Sequence, residues 1–354
     1  MIKERIRNLR HYLKDHQIGA AVILKPENQR YYSGFTGTDG ALLVSAKTAC
    51  LLTDARYLEQ AAQESPLYKI IDHKGRLMEI AADLCSVEQL TVIGYEDKFL
   101  TYQAYLALSG GLEERYFEPI SFEELRQVKD KVEIDNIKQA CHIADEAFKK
   151  LLPCIKLGVT EQYLAMQLEC NMLQLGSEEK SFTTIVASGK RSSMPHGVAS
   201  AKVIESGDFI TFDFGAIYKG YHSDITRTVV IGKASAEQKR IYDAVLQAQL
   251  LGVQTIKAGI AGYTVDKVCR DYFASIDLGT YFTHGLGHGV GLDIHELPVL
   301  SPRSKGILCE NMIVTVEPGL YIEGFGGVRI EDSVLVTTDG CEILTHTSKN
   351  LLEI

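Results

Sequence analysis

Histidines and carboxylates gather in a few places in this chain. Thr283 to Glu296 reads Thr-His-Gly-Leu-Gly-His-Gly-Val-Gly-Leu-Asp-Ile-His-Glu. It holds His284, His288 and His295, three of the ten histidines in 354 residues. Gly285, Gly287, Gly289 and Gly291 alternate through it. Each glycine inside a helix costs about 1 kcal/mol relative to alanine, so the stretch is expected to be extended. On an extended chain His284 and His288 share a face roughly 13 Å apart, too far to ligate one ion. This differs from the helical H-E-x-x-H pair of zinc peptidases. The glycines let backbone or substrate approach closely.

Four carboxylates interrupt strongly apolar segments. Asp213 lies in Phe-Ile-Thr-Phe-Asp-Phe-Gly, and Asp224 precedes Ile-Thr-Arg-Thr-Val-Val-Ile. Glu317 follows Val-Thr-Val, and Glu331 follows Gly-Gly-Val-Arg-Ile. A lone carboxylate in such surroundings is costly to ionise. Arg227 and Arg329 could serve two of the four, whereas the recurrence favours a shared cation. Four negative charges balance two divalent ions, and His288 would add a nitrogen ligand. Oxygen-rich ligation with one imidazole suits manganese, cobalt or zinc. Two ions about 3.5–4 Å apart would hold a bridging water and generate hydroxide near neutral pH.

The elements that must position these groups fall into two regions, as 354 residues predict. Hydrophobic content of 45% and charged content of 23% are those of a soluble globular protein. The net charge of −9 disfavours nucleic acid or an anionic membrane as partner. The charged, amphipathic start lacks the apolar core of a secretory signal, and no run of 18 apolar residues exists. The eight cysteines form no C-x-x-C pair, which points to reduced thiols in the cytosol.

Residues 1–122 alternate between helix and strand, as an α/β domain does. Helices are expected at 4–16, 55–64, 76–85 and 101–108, and strands at 20–24, 41–45, 50–53, 68–72 and 91–94. Gly34, Gly37 and Gly40 fit neither phosphate-loop pattern and read as turns. The charged stretch 123–133 marks a junction, and 123–354 forms the second domain. There, helices are expected at 131–152 and 161–175, a strand at 183–187, and a polar loop carrying His196. Two strands follow within 209–231. Ser235 and Gln238 make a capping box for a helix to about Ile256. A helix near 265–274, the Gly/His ribbon and two strands within 313–337 complete the chain. This half repeats itself. Ile-Lys-x-Gly occurs at 155–158 and 256–259, and Asp213-Phe-Gly-Ala-Ile-Tyr-Lys-Gly-Tyr resembles Glu317-Pro-Gly-Leu-Tyr-Ile-Glu-Gly-Phe. Each unit would be two helices and a hairpin, with the acids of both hairpins in one cleft.

Five motifs together carry a resemblance. They are Asp213-Phe-Gly, Ser223-Asp224-Ile-Thr-Arg-Thr, His284-Gly-Leu-Gly-His288-Gly-Val-Gly, Glu317-Pro-Gly and Arg329-Ile-Glu331-Asp. The C-terminal two-thirds resembles the pita-bread metallopeptidases, which include Xaa-Pro dipeptidase, aminopeptidase P and methionine aminopeptidase. The N-terminal third resembles the creatinase-type domain of the proline-specific members. The resemblance implies an α/β creatinase-type domain followed by an α+β pita-bread catalytic domain with a pseudo-twofold internal repeat. It also implies two divalent metal ions, manganese first and cobalt or zinc as alternatives, held by Asp213, Asp224, His288, Glu317 and Glu331. Asp224 and Glu331 would bridge both ions. His196, His284, His295 and Arg329 would surround them and contact substrate, with Glu317 relaying a proton. The expected activity is hydrolysis of Xaa-Pro bonds at the N-terminus of small peptides by a cytosolic homodimer. Alternatives are a methionine aminopeptidase-like enzyme, which the N-terminal domain disfavours, and an inactive peptide-binding scaffold. Creatinase shares the fold without the metal set, and the five filled positions argue against that activity. One departure concerns substrate length. Some prolidases carry an arginine four residues after the histidine matching His295, to grip a dipeptide's carboxylate. Val299 stands there, and the nearest arginine is Arg303.

Overall fold

The computed structural model describes residues 1–110 and 115–354, in two compact units, Met1–Arg126 and Gln127–Ile354. The cut falls inside the charged stretch 123–133.

The first unit runs α1 (Ile2–Asp15), β1 (Ala20–Ile23), α2 (Pro26–Ser33), β2 (Ala41–Ser45), β3 (Ala49–Thr53), α3 (Leu58–Glu64), β4 (Lys69–Asp72), α4 (Leu77–Val87), β5 (Val92–Tyr95), α5 (Tyr102–Gly110), β6 (Tyr116–Pro119) and α6 (Phe122–Leu125). Its six strands form one sheet in the order β4-β3-β2-β1-β5-β6, antiparallel within β1-β2-β3 and parallel elsewhere. Apolar residues of the strands, Val22, Leu43, Leu52 and Ile93, pack with Met78, Ala82 and Cys85 of α4.

Three elements differ from the sequence expectation. Helix α2 was not anticipated, although Pro26 occupies its first turn and Gly34 ends it at φ 84°. Both are ordinary helix punctuation. Helix α3 begins at Leu58 instead of Ala55, because the Asp54 side chain accepts from Arg56 N and holds a turn there. Strand β6 was also missed; three of its four residues face solvent, so it lacks an alternating pattern. Helix α6 follows the expected end of the first domain and packs Phe122 edge-on against Tyr32, 5.7 Å between centroids.

The second unit contains the repeat. Its first half is α7 (Lys131–Leu151), α8 (Glu161–Gln174), β7 (Ile185–Ser188), β8 (Phe209–Phe214), the short ribbon β9 (Ile217–Tyr218) and β10 (Tyr221–His222), and β11 (Ile225–Val230). Its second half is α9 (Ala236–Thr255), α10 (Gly262–Ser275), β12 (Gly287–Gly289), β13 (Glu296–Leu300), β14 (Ile313–Val316), the ribbon β15 (Gly319–Ile322) and β16 (Gly326–Arg329), β17 (Asp332–Val336) and β18 (Cys341–Ile343). The expected capping box of α9 forms, with Ser235 and Gln238 bonding reciprocally. In each half a long strand, a two-stranded ribbon and a second long strand follow two packed helices. The sheets are β11-β8-β7 and β13-β12-β14-β17-β18.

The backbone of the repeat is closely matched. Gly158 and Gly259 end the two Ile-Lys-x-Gly segments at φ 84° and 87°. Gly158 N donates to Ile204 O and Gly259 N to Leu308 O. Ile204 N and Leu308 N return bonds to Val159 O and Ile260 O, each at 2.8 Å. Gly220 and Gly324, at the tips of the two ribbons, also share positive φ, 75° and 79°. Side chains carry φ of that sign poorly, which is why glycine recurs at these turns. Each helix pair covers its own sheet. In the first half Phe148 packs on Phe212 and Phe214, and in the second Val265 and Phe273 pack with Val314 and Val316.

Candidate active site

The acidic segments of both halves converge on one cavity of about 520 Å³. Asp213 sits near the end of β8, and Asp224 just before β11. Glu317 directly follows β14, and Glu331 directly precedes β17. The strands are apolar because both faces are covered. Their ends open on the cavity, which is where a carboxylate can lie in an otherwise buried segment. All four line it, with His196, His284, His288, His295 and Arg329. The sequence-derived site residues are therefore together.

The ribbon 283–296 is less regular than a continuous strand. Within it Gly287–Gly289 pairs between β13 and β14, with a register shift, and Glu296 begins β13. A side chain at Gly287 would stand 2.1 Å from Thr315 O, and one at Gly289 2.3 Å from Leu297 O. The glycines thus let three backbones close around His288. Asp266 of α10 holds the ribbon from behind by accepting Leu286 N at 3.0 Å.

His288 Nε2 lies 3.5 Å from both Asp224 Oδ2 and Glu317 Oε1. Its Nδ1 donates to Gly289 O at 3.1 Å, so Nε2 turns a lone pair toward the carboxylates. Burial lowers the imidazole to about 4, which keeps it neutral. Ligand atoms of Asp224, His288 and Glu331 all fall within 4.8 Å of one another. Asp213 Oδ1, Asp224 Oδ1 and Glu331 Oε1 are buried without a hydrogen-bond partner. Burial, then the charges of Glu331, Asp213 and Glu317, push the Asp224 carboxyl well above its usual range. Burial likewise raises Glu331 strongly, and Glu317 to about 8. Orphaned acceptor oxygens around an imidazole lone pair repel one another unless a cation lies between them. The donor set fits divalent metal.

A second His/Asp group lies in the first unit, at Asp39, Asp54 and His73. There a guanidinium already supplies the positive charge: Arg56 reaches Asp54 Oδ2 from Nε at 2.8 Å and Asp39 from Nη2 at 3.4 Å.

Around the acidic centre, a hydrogen-bond chain fixes the remaining groups. Arg329 is 4% exposed. It donates from Nη2 to Asp213 Oδ2 at 2.6 Å, from Nη1 to Tyr321 Oη at 2.7 Å and Pro195 O at 3.2 Å, and from Nε to Thr226 Oγ1 at 3.1 Å. Thr226 Oγ1 passes its proton to Glu331 Oε2 at 2.7 Å. Tyr321 accepts from Arg329, so its own proton goes to His284 Nε2, 2.9 Å away. His284 Nδ1 then donates to Gly285 O at 2.7 Å. Both nitrogens of His284 are committed, and burial lowers the ring to about 4. The ring of His295 is exposed and stands edge-on to His288 at 4.3 Å, and His196 is exposed on the opposite half's loop. These two imidazoles, unlike His284, have atoms free to meet a substrate.

Sequence reasoning missed Tyr321, Thr226 and Thr315. Thr315 Oγ1 accepts His288 N at 3.1 Å and donates to Glu317 Oε1 at 3.3 Å. Within the repeat Tyr321 answers Ile217, and that mismatch between otherwise matched hairpins was the available signal.

Buried carboxylates around one imidazole, with histidines on the walls, define a metallohydrolase. Comparison with known proteins places it further. Residues 135–338 match metallopeptidase family M24, and residues 5–128 match the creatinase/prolidase N-terminal domain. An Xaa-Pro dipeptidase structure from Bacillus anthracis superposes with TM-score 0.97 at 45% identity, covering 100% of both chains. An X-Pro aminopeptidase structure from Thermotoga maritima gives 0.91 at 38%, covering 99% of both. The Xaa-Pro dipeptidase of Pyrococcus furiosus is 39% identical over 99% of this chain and 100% of its own. The chain belongs to metallopeptidase family M24.

Proposed function

We propose that this enzyme hydrolyses the peptide bond preceding proline at the N-terminus of di- and oligopeptides, with two divalent cations per chain. The reading is carried by three buried, partnerless carboxylate oxygens, on Asp213, Asp224 and Glu331, in the cavity that the His288 imidazole also lines. Asp213, Asp224, His288, Glu317 and Glu331 would hold the ions, with Asp224 and Glu331 shared. Manganese is the first choice, with cobalt or zinc as alternatives. Bound there, the cations would bring the pKa of a water into the neutral range.

The chain's own residues orient the substrate and move the proton. Glu317 takes the proton through a carboxylate oxygen. His295 donates to the scissile carbonyl oxygen, where charge develops. Arg329 holds Asp213 in place and, through Tyr321, fixes the orientation of His284. Proline at the second position has no amide N–H, so a ring-shaped apolar surface must recognise it. Phe182, Ile185 and Val198 supply such a surface on the cavity wall.

Substrate length follows from Val299, which lines the cavity and is 39% exposed. A strict dipeptidase gains from an arginine there, since a desolvated arginine–carboxylate pair is among the stronger polar contacts. Valine cannot form one. An Xaa-Pro-Xaa tripeptide is therefore cleaved at least as efficiently as an Xaa-Pro dipeptide, and Val299→Arg shifts preference toward the dipeptide. Assay of both peptides with manganese-loaded protein tests this. An inert tripeptide beside a rapidly cleaved dipeptide would overturn the length assignment, and failure to cleave either would overturn the activity. We also propose a cytosolic homodimer, which sedimentation at working concentration tests. No helix among the described residues is long and apolar enough to cross a membrane.

A further inference from the structure

Glu161 opens helix α8 and is 0% exposed. A carboxylate so placed loses its hydration and must be satisfied inside. It is satisfied entirely by one segment, residues 188–200. Oε1 accepts Ser188 N at 2.7 Å and Ser188 Oγ at 2.8 Å. Oε2 accepts Ser200 N at 3.0 Å, Ser200 Oγ at 2.6 Å and Arg191 Nε at 3.1 Å. Arg191 then donates from Nη2 to Val198 O at 2.7 Å. Both ends and the middle of the segment are thus gathered on one side chain.

Between those ends lie Pro195, His196 and Val198, which form one wall of the cavity. Other bonds also hold the wall: Val198 bridges Ile185, Met194 N donates to Arg191 O, and Gly197 N donates to Met194 O. Pro195 O accepts from Arg329, and Ser192 Oγ accepts Gly327 N at 2.8 Å. His196 itself is exposed. Its position is set by backbone, and Glu161 ties the two ends and the middle of that backbone together.

We propose that Glu161 is a positioning residue for the His196 wall, acting on substrate grip without touching substrate or the acidic centre. This rests on the reading of the cavity as a peptide site. Through the same loop, loss of the Arg191 ion pair and of one charged acceptor would let His196 drift. A displacement near 1 Å at a substrate-contacting group can cost about 100-fold.

The test is a double-mutant cycle on metal-loaded protein with a tripeptide substrate, using Glu161→Gln, His196→Ala and the double variant. Glu161→Gln is expected to lower kcat/KM about 10- to 100-fold, mainly through KM, with metal content unchanged. In the His196→Ala background it is expected to add little. Equal factors in both backgrounds, or no loss in either, would overturn the proposal. Ser200→Ala removes one contact and keeps the carboxylate, so a smaller loss with the same non-additivity is expected, and it decides the matter if Glu161→Gln does not fold. A crystal structure of Ser200→Ala or Glu161→Gln gives a readout independent of activity. Residues 194–198 should shift while Asp213, Asp224 and Glu331 stay in place. An unmoved wall would overturn the proposal even if the peptide reading failed on its own account.

Discussion

The two halves of the catalytic unit begin their second helices on the same backbone and with opposite side chains. Glu161 N donates to Lys202 O at 3.0 Å, and Gly262 N donates to Gly306 O at 2.9 Å. The first position of α8 is a glutamate that gathers a loop through its carboxylate. The first position of α10 is a glycine, where a side chain would stand 2.6 Å from Val299 O and 2.7 Å from Ser304 Oγ. One wall is held by charge at a distance and the other by direct backbone contact. The acidic centre diverges less. Thr226, two residues after Asp224, bonds Glu331 Oε2, and Ser333, two residues after Glu331, bonds Asp224 O at 2.8 Å. Each half braces the other, the first through the carboxylate of Glu331 and the second through the main-chain carbonyl of Asp224. The repeat is kept where the two halves share a task and dropped where they form different walls.

If that reciprocal bracing matters, the largest effect falls on Asp224 and Glu331. Asp224→Ala and Glu331→Ala should each lose more than one ion's worth of metal and lower kcat/KM at least about 10³-fold, beyond the loss of a single electrostatic stabiliser. Metal analysis beside the peptide assay reads this. Full metal content in either variant would break the symmetry.

Next comes the point where the hairpins differ. Tyr321→Phe removes the hydroxyl between Arg329 and His284, leaving one buried donor hydrogen, on Arg329 Nη1, and one acceptor, His284 Nε2, without a partner. We expect kcat to fall roughly 10- to 100-fold, the worth of a hydrogen bond to a charged group at about 1.5–3 kcal/mol, with metal retained. Unchanged kcat would show the chain to be structural only.

A smaller effect tests the second wall. Gly262→Ala must displace the backbone at Val299, an overpacking that costs about 1–3 kcal/mol. Thermal unfolding should show that loss, and KM for the tripeptide should rise. Neither change occurring would mean that the loop gives way freely.

The smallest effect is a pH slope in the metal-free protein. Glu317 is raised from an ordinary carboxyl value to about 8 in the fold. The folded protein then binds the proton more tightly than the unfolded chain does. Stability is highest below the unfolded pKa and declines until pH reaches the folded one. Buried His284 and His288, lowered to about 4, act in the opposite sense only below about 6.5. Between pH 6.5 and 8 the metal-free protein should lose stability on the order of 2 kcal/mol from Glu317 alone. Saturating metal should remove the slope. A flat or rising thermal midpoint in the metal-free protein would contradict it.

The sequence displayed much of this. Acids at the ends of apolar strands stand out because they are costly there, and alternating glycines mark a backbone that must be approached closely. The paired Ile-Lys-x-Gly and hairpin segments exposed the repeat. What stayed hidden has a common cause. Thr226, Thr315, Tyr321 and Glu161 are ordinary residues in ordinary positions, and their importance comes from partners 105, 2, 37 and 39 residues away. Only Thr315 had its partner within reach of a local pattern. His284, expected from the sequence to contact substrate, has both ring nitrogens hydrogen-bonded within the protein, to Gly285 O and Tyr321 Oη.

Residues 345–349 give the acidic centre a dependence on timing. Asp145 of α7 accepts His346 N, Thr347 N and Thr347 Oγ1. Arg227 donates to Thr347 O and to Asp332, and also to the carbonyl of Glu331. Lys349 Nζ closes on Asp332 Oδ2 at 2.6 Å. During synthesis these residues emerge after everything they support. Until they leave the ribosome, Arg227 and Asp332 lack part of their surroundings and the strand end bearing Glu331 is not clamped. A nascent chain stopped just before residue 345 would hold Asp213, Asp224, His288, Glu317 and Glu331 and lack the contacts of Thr347 and Lys349 to Arg227 and Asp332. The clamp on the strand end bearing Glu331 is therefore added only after the strand itself has been made.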